Sequence, residues 1–267
     1  MMRIAALFWL VWSAFASAET LRMAVTTSFH NSGLADILLP AIKDDIGLDV
    51  QLLVVGTGQA LRLGRAGDVD AILVHSKAAE QAFVAEGYGT RRRQIMYNDF
   101  VLVGPAADPA GISGAPDVTQ ALSAIANARA TFVSRGDDSG THRRERALWD
   151  AADLDPTRDS PWYKEVGAGM GASLNTAAGL DAYILSDRAS WLNFANKAGL
   201  ALLYSGDRML FNQYSYISVS PARHPHVDIQ AATQLEEWLA SERARALIDS
   251  YEIGGQQLFV FNAQDLD

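Results

Sequence analysis

The sequence predicts an α/β protein of two lobes that are joined by two crossing strands. Short apolar strands alternate with amphipathic helices between residues 21 and 85, which is typical of a parallel sheet with right-handed crossovers. The same alternation begins again after a long apolar strand that runs into a Pro- and Gly-rich stretch at 105–116. An alternating segment at 214–219 then precedes two helices, so we expect the chain to return to the first lobe.

The first lobe begins with a βαβ pattern. Residues 21–25 are a predicted strand, and apolar residues then recur at helical spacing from Leu34 to Ile42. Gly47 is a candidate C-cap for that helix. The next predicted elements are a strand at 48–55, a helix that carries Leu61, a strand at 70–74, a helix at 77–85 and a crossing strand at 98–104.

The second lobe repeats the alternation. Its predicted strands lie at 130–133, 181–185 and 201–204, and its predicted helices at 139–149 and 187–196. The return strand at 214–219 leads to two closing helices at 228–240 and 242–251. We therefore assign residues 19–104 and 212–267 to the first lobe and residues 105–211 to the second. Two lobes joined by two crossings form a hinged clamp.

Residues 1–18 have the layout of a secretory signal peptide. Arg3 precedes an apolar run at 4–12, and residues 16–18 are small, as a signal peptidase requires. The run is too short to span a membrane, although an uncleaved anchor is the alternative. No Cys lies near the cleavage position, which excludes a lipid anchor. We expect export to the periplasm, a mature chain that begins near Glu19 and no membrane-embedded segment.

The composition restricts the partners of the chain. The 267 residues carry a formal charge of −9, and removing residues 1–18 takes away Arg3 and no acid, which leaves −10. An acidic chain is not expected to bind nucleic acid or an anionic lipid surface, so an anionic ligand must be held by local donors. The absence of Cys excludes disulfides, thiolate metal sites and Cys nucleophiles.

Three predicted strands of the first lobe end in small polar residues. These are Thr26-Thr27-Ser28, Thr57-Gly58 and His75-Ser76. In open α/β sheets, ligands bind beyond the carboxyl ends of the strands. The sequence therefore predicts a pocket at these ends, and Thr57 is one of its candidate ligand contacts.

Residues 134–142 (SRGDDSGTH) form the strongest motif, because they lie between a predicted strand and a predicted helix. Ser139 is a candidate N-cap, and Gly140 lets the backbone approach a ligand. A helix N-terminus offers free N–H groups and partial positive charge, and Arg135 adds a donor fork suited to an oxyanion. An ordinary capped helix with a surface arginine is the alternative.

Two further segments resemble this arrangement. Residues 26–34 (TTSFHNSGL) run from a strand into a helix and bring several hydroxyls together, although a plain N-cap is the alternative there. Residues 167–176 (GAGMGASLNT) place three glycines before a short helix, where backbone amides can form an anion site. A dinucleotide fingerprint is excluded because no apolar strand precedes these glycines and their spacing is wrong.

The order of these motifs resembles the periplasmic tungstate-binding proteins of bacterial ABC-type uptake transporters. The matching stretches cover nearly the whole mature chain: 26–34, 54–58 (VVGTG), 71–76, 98–105 (NDFVLVGP), 134–141, 162–163 and 167–179. The resemblance implies a monomeric, type II-like solute-binding protein that holds tungstate between its lobes and delivers it to a membrane permease. Neither a cofactor nor a resident metal ion is implied, because the metal is bound as an oxyanion. The sequence does not separate tungstate from molybdate.

The resemblance also assigns ligand contacts by position. The expected contacts are Thr27, Ser28, Arg135 and Thr141, and further candidates are Ser139, Gly140, the amides of Gly171, Ala172 and Ser173, and Arg188 at the start of a helix. Val25 and Phe29 stand where the family often has threonine, which puts the strength and selectivity of binding in question.

The protonation state of the ligand leaves a choice of oxyanion. Tungstate, molybdate and sulfate carry no proton at neutral pH and need only donors, whereas phosphate retains a proton and needs an acceptor. If Asp137 or Asp138 points into the cleft, phosphate becomes plausible. If both orient Arg135 or cap the helix, a fully ionised anion is favoured.

A different class of protein is the other alternative. Ser139, His142 and Asp138 supply the residue types of a hydrolase, but their spacing is poor and no G-x-S-x-G turn exists. The histidines form no H-E-x-x-H pair for a metal. We therefore expect a binding protein. A partner that signals instead of transporting would use the same clamp.

Overall fold

The computed structural model describes residues 20–156 and 160–263, which form two α/β lobes around mixed sheets. The predicted signal peptide lies outside the described residues. The first stretch of the chain contains β1 (Thr20–Thr26), α1 (Thr27–Asn31), α2 (Ala35–Ile46), β2 (Asp49–Val55), α3 (Thr57–Ala66), β3 (Ala71–Val74), α4 (Lys77–Ala85) and β4 (Arg93–Pro105). Gly47 ends α2 at φ +71°, which confirms the predicted cap.

The second lobe follows β4. It contains α5 (Val118–Ala128), β5 (Phe132–Ser134), α6 (Gly140–Ala151), β6 (Tyr163–Glu165), α7 (Met170–Leu180), β7 (Tyr183–Asp187), α8 (Arg188–Asn193) and β8 (Leu200–Tyr204), with 3-10 turns at Ile112–Gly114 and Arg208–Leu210. The chain then returns through β9 (Phe211–Ser218), α9 (Ile229–Leu239), α10 (Glu242–Asp249), β10 (Glu252–Ile253), β11 (Gln256–Gln257) and β12 (Val260–Phe261).

The strand order explains how the lobes are joined. In the first lobe the order is β2-β1-β3-β9-β4, with β1 parallel to both β2 and β3, and β9 antiparallel to β3 and β4. In the second lobe β4 pairs with β7, which is followed by β5 and β6, and β8 also pairs with β4. The strand β4 therefore belongs to both lobes, as a crossing strand must.

The pairing of β4 changes at a defined point. Residues up to Asp99 pair with β9, whereas Phe100–Val103 pair with β7 and the end of β4 pairs with β8. Beside this point Asn212 donates to Asn98 at 2.8 Å, between the two crossing strands. The change of partner lies five residues before the predicted boundary at 104/105, and the boundaries themselves stay a prediction.

Each sheet is covered by helices on both faces. In the first lobe α2, α9 and α10 pack on one face and α3 and α4 on the other. In the second lobe α5 and α6 cover one face, and α7 and α8 cover the other. Because α1, α3, α6, α7 and α8 each follow a strand, their N-termini lie at the carboxyl ends of the strands, where the lobes face each other.

Candidate anion-binding site

Two adjoining cavities lie between the lobes. The first, of about 290 Å³, is the α7 cavity: Thr27, Ser28 and Asn31 line it from the first lobe, and Arg135, residues 169–172, Asp187 and Ser190 from the second. The second, of about 300 Å³, is the α3 cavity: Thr27, residues 56–59 and Arg62 line it from the first lobe, and Arg135, residues 137–139 and Arg143 from the second. Thr27 and Arg135 belong to both cavities.

Arg135 is a fixed cation between the two cavities. It follows β5 directly, and the residue is only 9% exposed. One terminal nitrogen donates to the carboxylate of Asp137, and the other lies 3.5 Å from the hydroxyl of Thr141. Its Nε is buried and has no hydrogen-bond partner within the described chain. A buried guanidinium with an unused donor is suited to an anionic ligand.

Asp137 orients Arg135 and does not face the ligand as a free acceptor. Its Oδ1 accepts from the backbone amide of Ser139 at 3.2 Å, and its Oδ2 accepts from Arg135. Burial alone would raise the pKa of Asp137, but the hydrogen bonds from Ser139 and the charge of Arg135 outweigh burial and lower it. Asp138 is paired with Arg143 at 2.8 and 3.0 Å, and its side chain is 80% exposed.

The N-terminus of α6 is capped as predicted. The hydroxyl of Ser139 accepts from the amide of His142 at 3.3 Å. The Nδ1 of His142 in turn accepts from the backbone amide of Asp138 at 3.1 Å. Ser139, His142 and Asp138 therefore use these atoms to hold the turn, and they do not form the hydrogen-bonded chain of a nucleophilic triad.

The N-termini of α3 and α7 supply backbone donors. Neither helix has a side-chain cap, since the preceding residues are Gly56 and Gly169. The first bonded amide of α7 is that of Ser173, which donates to the carbonyl of Gly169 at 3.0 Å. The three amides before it, of residues 170–172, lie in the first turn, where a helix has no internal acceptors. These residues line the α7 cavity, so the partial positive charge of the helix faces it.

Ser28 is oriented by a polar network of the first lobe. Its hydroxyl lies 3.0 Å from the hydroxyls of both Thr26 and Tyr214, and 3.2 Å from Nε2 of His75. Burial lowers the pKa of His75 to about 4, so this imidazole is neutral at pH 7. When Tyr214 and His75 donate to Ser28, its single proton is shared between the Thr26 hydroxyl and a ligand.

The structure places most of the predicted contacts at the cavities. Thr27, Ser28, Arg135, Gly171 and Ala172 line the α7 cavity, while Thr57 and Ser139 line the α3 cavity. Thr141 is buried behind Arg135, and Gly140 lies against His75. These positions are consistent with the predicted roles, and the contacts themselves stay predictions.

Two predicted contacts lie elsewhere. Arg188 lies outside both cavities because Asp99 holds its guanidinium at both ends, with an Nε–Oδ1 distance of 2.7 Å. Ser173 is fully buried, and its hydroxyl donates to the carbonyls of Ala168 and Gly169. Its amide is also bonded within α7, so neither group of Ser173 is available to an anion.

The two departures from the family pattern are core positions. Val25 and Phe29 are 0% and 2% exposed, and both belong to the main hydrophobic cluster of the first lobe. A hydroxyl at either position would face the core, so these apolar side chains remove no donor from the cavities.

The sequence prediction missed several lining residues. These are Gln59, Arg62, Arg143, Asp187 and Ser190. Asp187 is the most informative of them, since it is the last residue of β7. The rule that ligands bind beyond the carboxyl ends of strands applies to this residue as it does to Thr27.

The described residues contain neither a membrane-spanning helix nor a cluster of metal ligands. Within residues 20–156 and 160–263, no helix has the length and apolarity needed to span a bilayer. Over the same ranges, no group of three or more His, Asp or Glu side chains is placed to hold a metal ion.

Two α/β lobes, two crossing strands and a donor-lined cleft between them define a two-lobed solute-binding protein. A family model described as a PBP superfamily domain matches residues 13–243. The tungstate-binding protein TupA of Peptoclostridium acidaminophilum is 44% identical over 90% of this chain and 85% of its own length. The chain therefore belongs to the PBP superfamily and, within it, to the family of tungstate-binding TupA proteins.

Solved structures of relatives have the same fold. TupA from Desulfovibrio alaskensis G20 is 44% identical, with a TM-score of 0.86 over 92% of this chain and 100% of its own. The structure described as the tungstate ABC transporter from Geobacter sulfurreducens is also 44% identical, with a TM-score of 0.79 over 87% of this chain and 99% of its own.

Proposed function

We propose that the protein captures tungstate, and with it molybdate, between its lobes and delivers the anion to the membrane permease of an ABC transporter. The observation that carries this proposal is the convergence on one cleft of Arg135, the hydroxyls of Thr27 and Ser28 and the N-terminus of α7. The names of the relatives support the choice of ligand and of partner.

The donor set favours a fully ionised anion. A tetrahedral dianion without protons requires only donors, and Arg135, the hydroxyls and the amides of residues 170–172 are donors. Asp137 and Asp138 are engaged by Arg135 and Arg143, which is the arrangement expected for tungstate, molybdate or sulfate. Hydrogen phosphate would find neither of these two carboxylates free to accept its proton.

We further propose that the cleft closes by rotation about β4 and β9. The anion first binds to one lobe of the open form, and closure brings the groups of the other lobe onto it. Expelling water from the cleft strengthens each charge–dipole contact because the local dielectric falls. We assign residues 19–104 and 212–267 to one lobe of this clamp and residues 105–211 to the other. The closed form is the one that the permease recognises.

Residues 1–18 are proposed to direct export to the periplasm, where a binding protein of an ABC importer meets its ligand. Analysis of the purified periplasmic protein by mass spectrometry tests this assignment. We expect an N-terminus at Glu19, and a chain that retains residues 1–18 in the membrane fraction would contradict it.

Thermal unfolding of residues 19–267 with tungstate, molybdate, sulfate or phosphate tests the ligand. A ligand present at a thousand times its dissociation constant stabilises a protein by roughly 4 kcal/mol. For a protein of this size we therefore expect a Tm increase on the order of 10 °C with tungstate. A small increase with sulfate and phosphate would support the proposal, and the lack of an increase with any of the four anions would refute it.

The transport role needs a separate measurement. We expect ATP-driven uptake of tungstate by vesicles that contain the permease, and only when the binding protein and tungstate are both supplied outside. Binding without uptake would mean that the partner is a receptor and not a transporter.

A further inference from the structure

Asp187 is an acid at the wall of the α7 cavity whose second oxygen is unused. It ends β7 and caps α8, because its Oδ1 accepts from the amide of Ser190 at 2.9 Å. The residue is 1% exposed, and Oδ2 is buried without a hydrogen-bond partner in the described chain. It is the one acidic residue among those that line this cavity. A buried carboxylate oxygen without a partner is costly, so its state must be explained.

Among the described residues, no cation is hydrogen-bonded to Asp187. Arg135 contributes its charge, but the donors that it uses go to Asp137 and Thr141. Arg188, the next residue along the chain, is turned toward Asp99. The carboxyl group of Asp187 therefore lies near the positive charge of Arg135 but accepts no hydrogen bond from this arginine.

The other described groups that line the α7 cavity carry no charge at neutral pH. From α1 these are Thr27, Ser28 and Asn31, and from α7 they are backbone amides. The phenol of Tyr214 on β9 lies close enough for its pKa to be raised, chiefly by burial and also by the charge of Asp187. His75, beyond Ser28, is neutral because burial lowers its pKa to about 4.

Burial and a bound anion act on Asp187 in the same direction, since each raises its pKa. Burial raises the pKa of Asp187, and the hydrogen bonds from Ser190 and the charge of Arg135 act against burial without cancelling it. A bound dianion would add a further repulsion, since like charges disfavour ionisation. The carbonyl oxygen of a neutral carboxyl group can still cap α8, which leaves the unpartnered Oδ2 to carry the proton.

We propose that Asp187 binds the anion as a carboxylic acid that donates Oδ2–H to a ligand oxygen, so that one proton is taken up from solvent when the dianion binds. The inference rests on the proposed function, because it requires an anion in the α7 cavity. With Asp187 protonated, every side chain that contacts the anion in this cavity is a hydrogen-bond donor. Asp187 is then a specificity-determining residue that favours anions without a proton of their own.

The inference predicts how affinity depends on pH. If the complex holds one proton more than the free protein, affinity for tungstate falls as pH rises, by up to about tenfold per pH unit. In Asp187→Asn the amide donates without taking up a proton and still caps α8. The variant is therefore expected to bind tungstate with an affinity that changes less than threefold between pH 6 and pH 9.

Isothermal titration calorimetry of residues 19–267 with sodium tungstate, in buffers of different ionisation enthalpy, measures the proton uptake directly. We expect uptake that approaches one proton per anion within pH 6–9 for the wild-type protein and none for Asp187→Asn. The matched control is Asp117→Asn, since Asp117 also caps a helix of the second lobe but lies at its surface. This control is expected to retain the wild-type uptake and affinity.

Three results would overturn the inference alone, and a fourth would overturn the proposed function as well. Equal uptake by wild type and Asp187→Asn would assign the proton to another group. Lack of proton uptake by the wild-type protein at every pH from 6 to 9 would by itself exclude a coupling between tungstate binding and protonation. Tighter tungstate binding by Asp187→Asn at all pH values would mean that Asp187 is ionised and repels the anion. Lack of tungstate binding by the wild-type protein would refute the proposed function, and this inference with it.

Discussion

Gly140 of the second lobe lies directly against the imidazole of His75 in the first. A Cβ atom built at position 140 would lie 2.6 Å from Cε1 of His75, which is closer than such atoms approach. Gly140 is the first residue of α6, next to the cap Ser139, and His75 contacts Ser28. The lobes therefore meet at a glycine beside two predicted ligand contacts.

Gly140→Ala is expected to hold the lobes apart. Overpacking of this kind costs about 1–3 kcal/mol. Here it destabilises the conformation in which the two lobes are in contact. We expect tungstate affinity to fall by roughly tenfold or more while the fold is retained. Titration calorimetry measures the affinity.

The control for that change is Gly179→Ala in α7. Gly179 is exposed and has nothing within 4 Å of the added methyl group. This variant should keep wild-type affinity and gain about 0.5–1 kcal/mol of stability from the better helix former. Unchanged affinity in Gly140→Ala would show that this contact does not limit closure.

Arg135→Ala is expected to weaken tungstate binding by about 1.5–3 kcal/mol, the loss of a hydrogen bond to a charged group. The variant should also lose the Tm increase that tungstate produces. Arg208→Ala, which removes an exposed arginine of the same lobe, is the control and should bind like the wild type. Equal affinities of the two variants would remove Arg135 from the site.

Tyr214 is expected to act on the ligand through Ser28. Ser28→Ala should weaken tungstate binding, and Tyr214→Phe should weaken it less, because the phenol only orients the Ser28 hydroxyl. In the Ser28→Ala background, Tyr214→Phe should have no further effect on affinity, as a double-mutant cycle would measure.

Tyr216→Phe supplies the comparison for this cycle. Tyr216 lies on the same strand, is equally buried, and donates to the carbonyl of Ala232, away from the cavities. It should lower stability without changing affinity. Additive effects of Ser28→Ala and Tyr214→Phe would exclude the orienting role.

Glu145 makes the stability of the second lobe depend on pH. It is buried and accepts from Tyr163 at 2.6 Å and from Trp149 at 3.2 Å. Burial raises the pKa of Glu145 from 4.5 to about 7. Between these values the folded protein keeps a proton that the unfolded chain releases, so the free energy of unfolding falls as pH rises.

Glu145→Gln should remove this decline, which is on the order of 3 kcal/mol between pH 4.5 and pH 7. Urea unfolding of the wild type and the variant across this range measures the difference. Glu237→Gln, at an exposed glutamate, should leave the profile unchanged. Parallel profiles for the wild type and Glu145→Gln would show that Glu145 is ionised in the folded protein.

Local patterns predicted most of the fold. Residues at helical spacing in α2, the cap at Gly47 and the strand ends at Thr27 and Thr57 all lie where the sequence indicated. The helix α5 was not assigned, although Asp117 caps it and Val118, Leu122 and Ile125 share its buried face. That signal is local, so the sequence after the Pro- and Gly-rich stretch carries it without any tertiary contact.

The parts of the site that were missed depend on contacts distant in sequence. Arg188 was expected at the ligand, but its partner Asp99 lies 89 residues away on the crossing strand. The directions of Asp137 and Asp138 depend on which arginine each one meets, which their spacing does not determine. Burial of Asp187 likewise follows from how β7 is placed in its sheet.

The path of the chain through the two lobes also bears on the order in which they fold. The second lobe is built from one continuous stretch between the crossings, whereas the first lobe needs β9, α9 and α10 from the far end of the chain. Local contacts form faster than distant ones, because closing a long loop costs more entropy. A chain that emerges from an export channel N-terminus first would therefore complete the inserted lobe earlier, and the pocket would form only when β9, α9 and α10 had arrived.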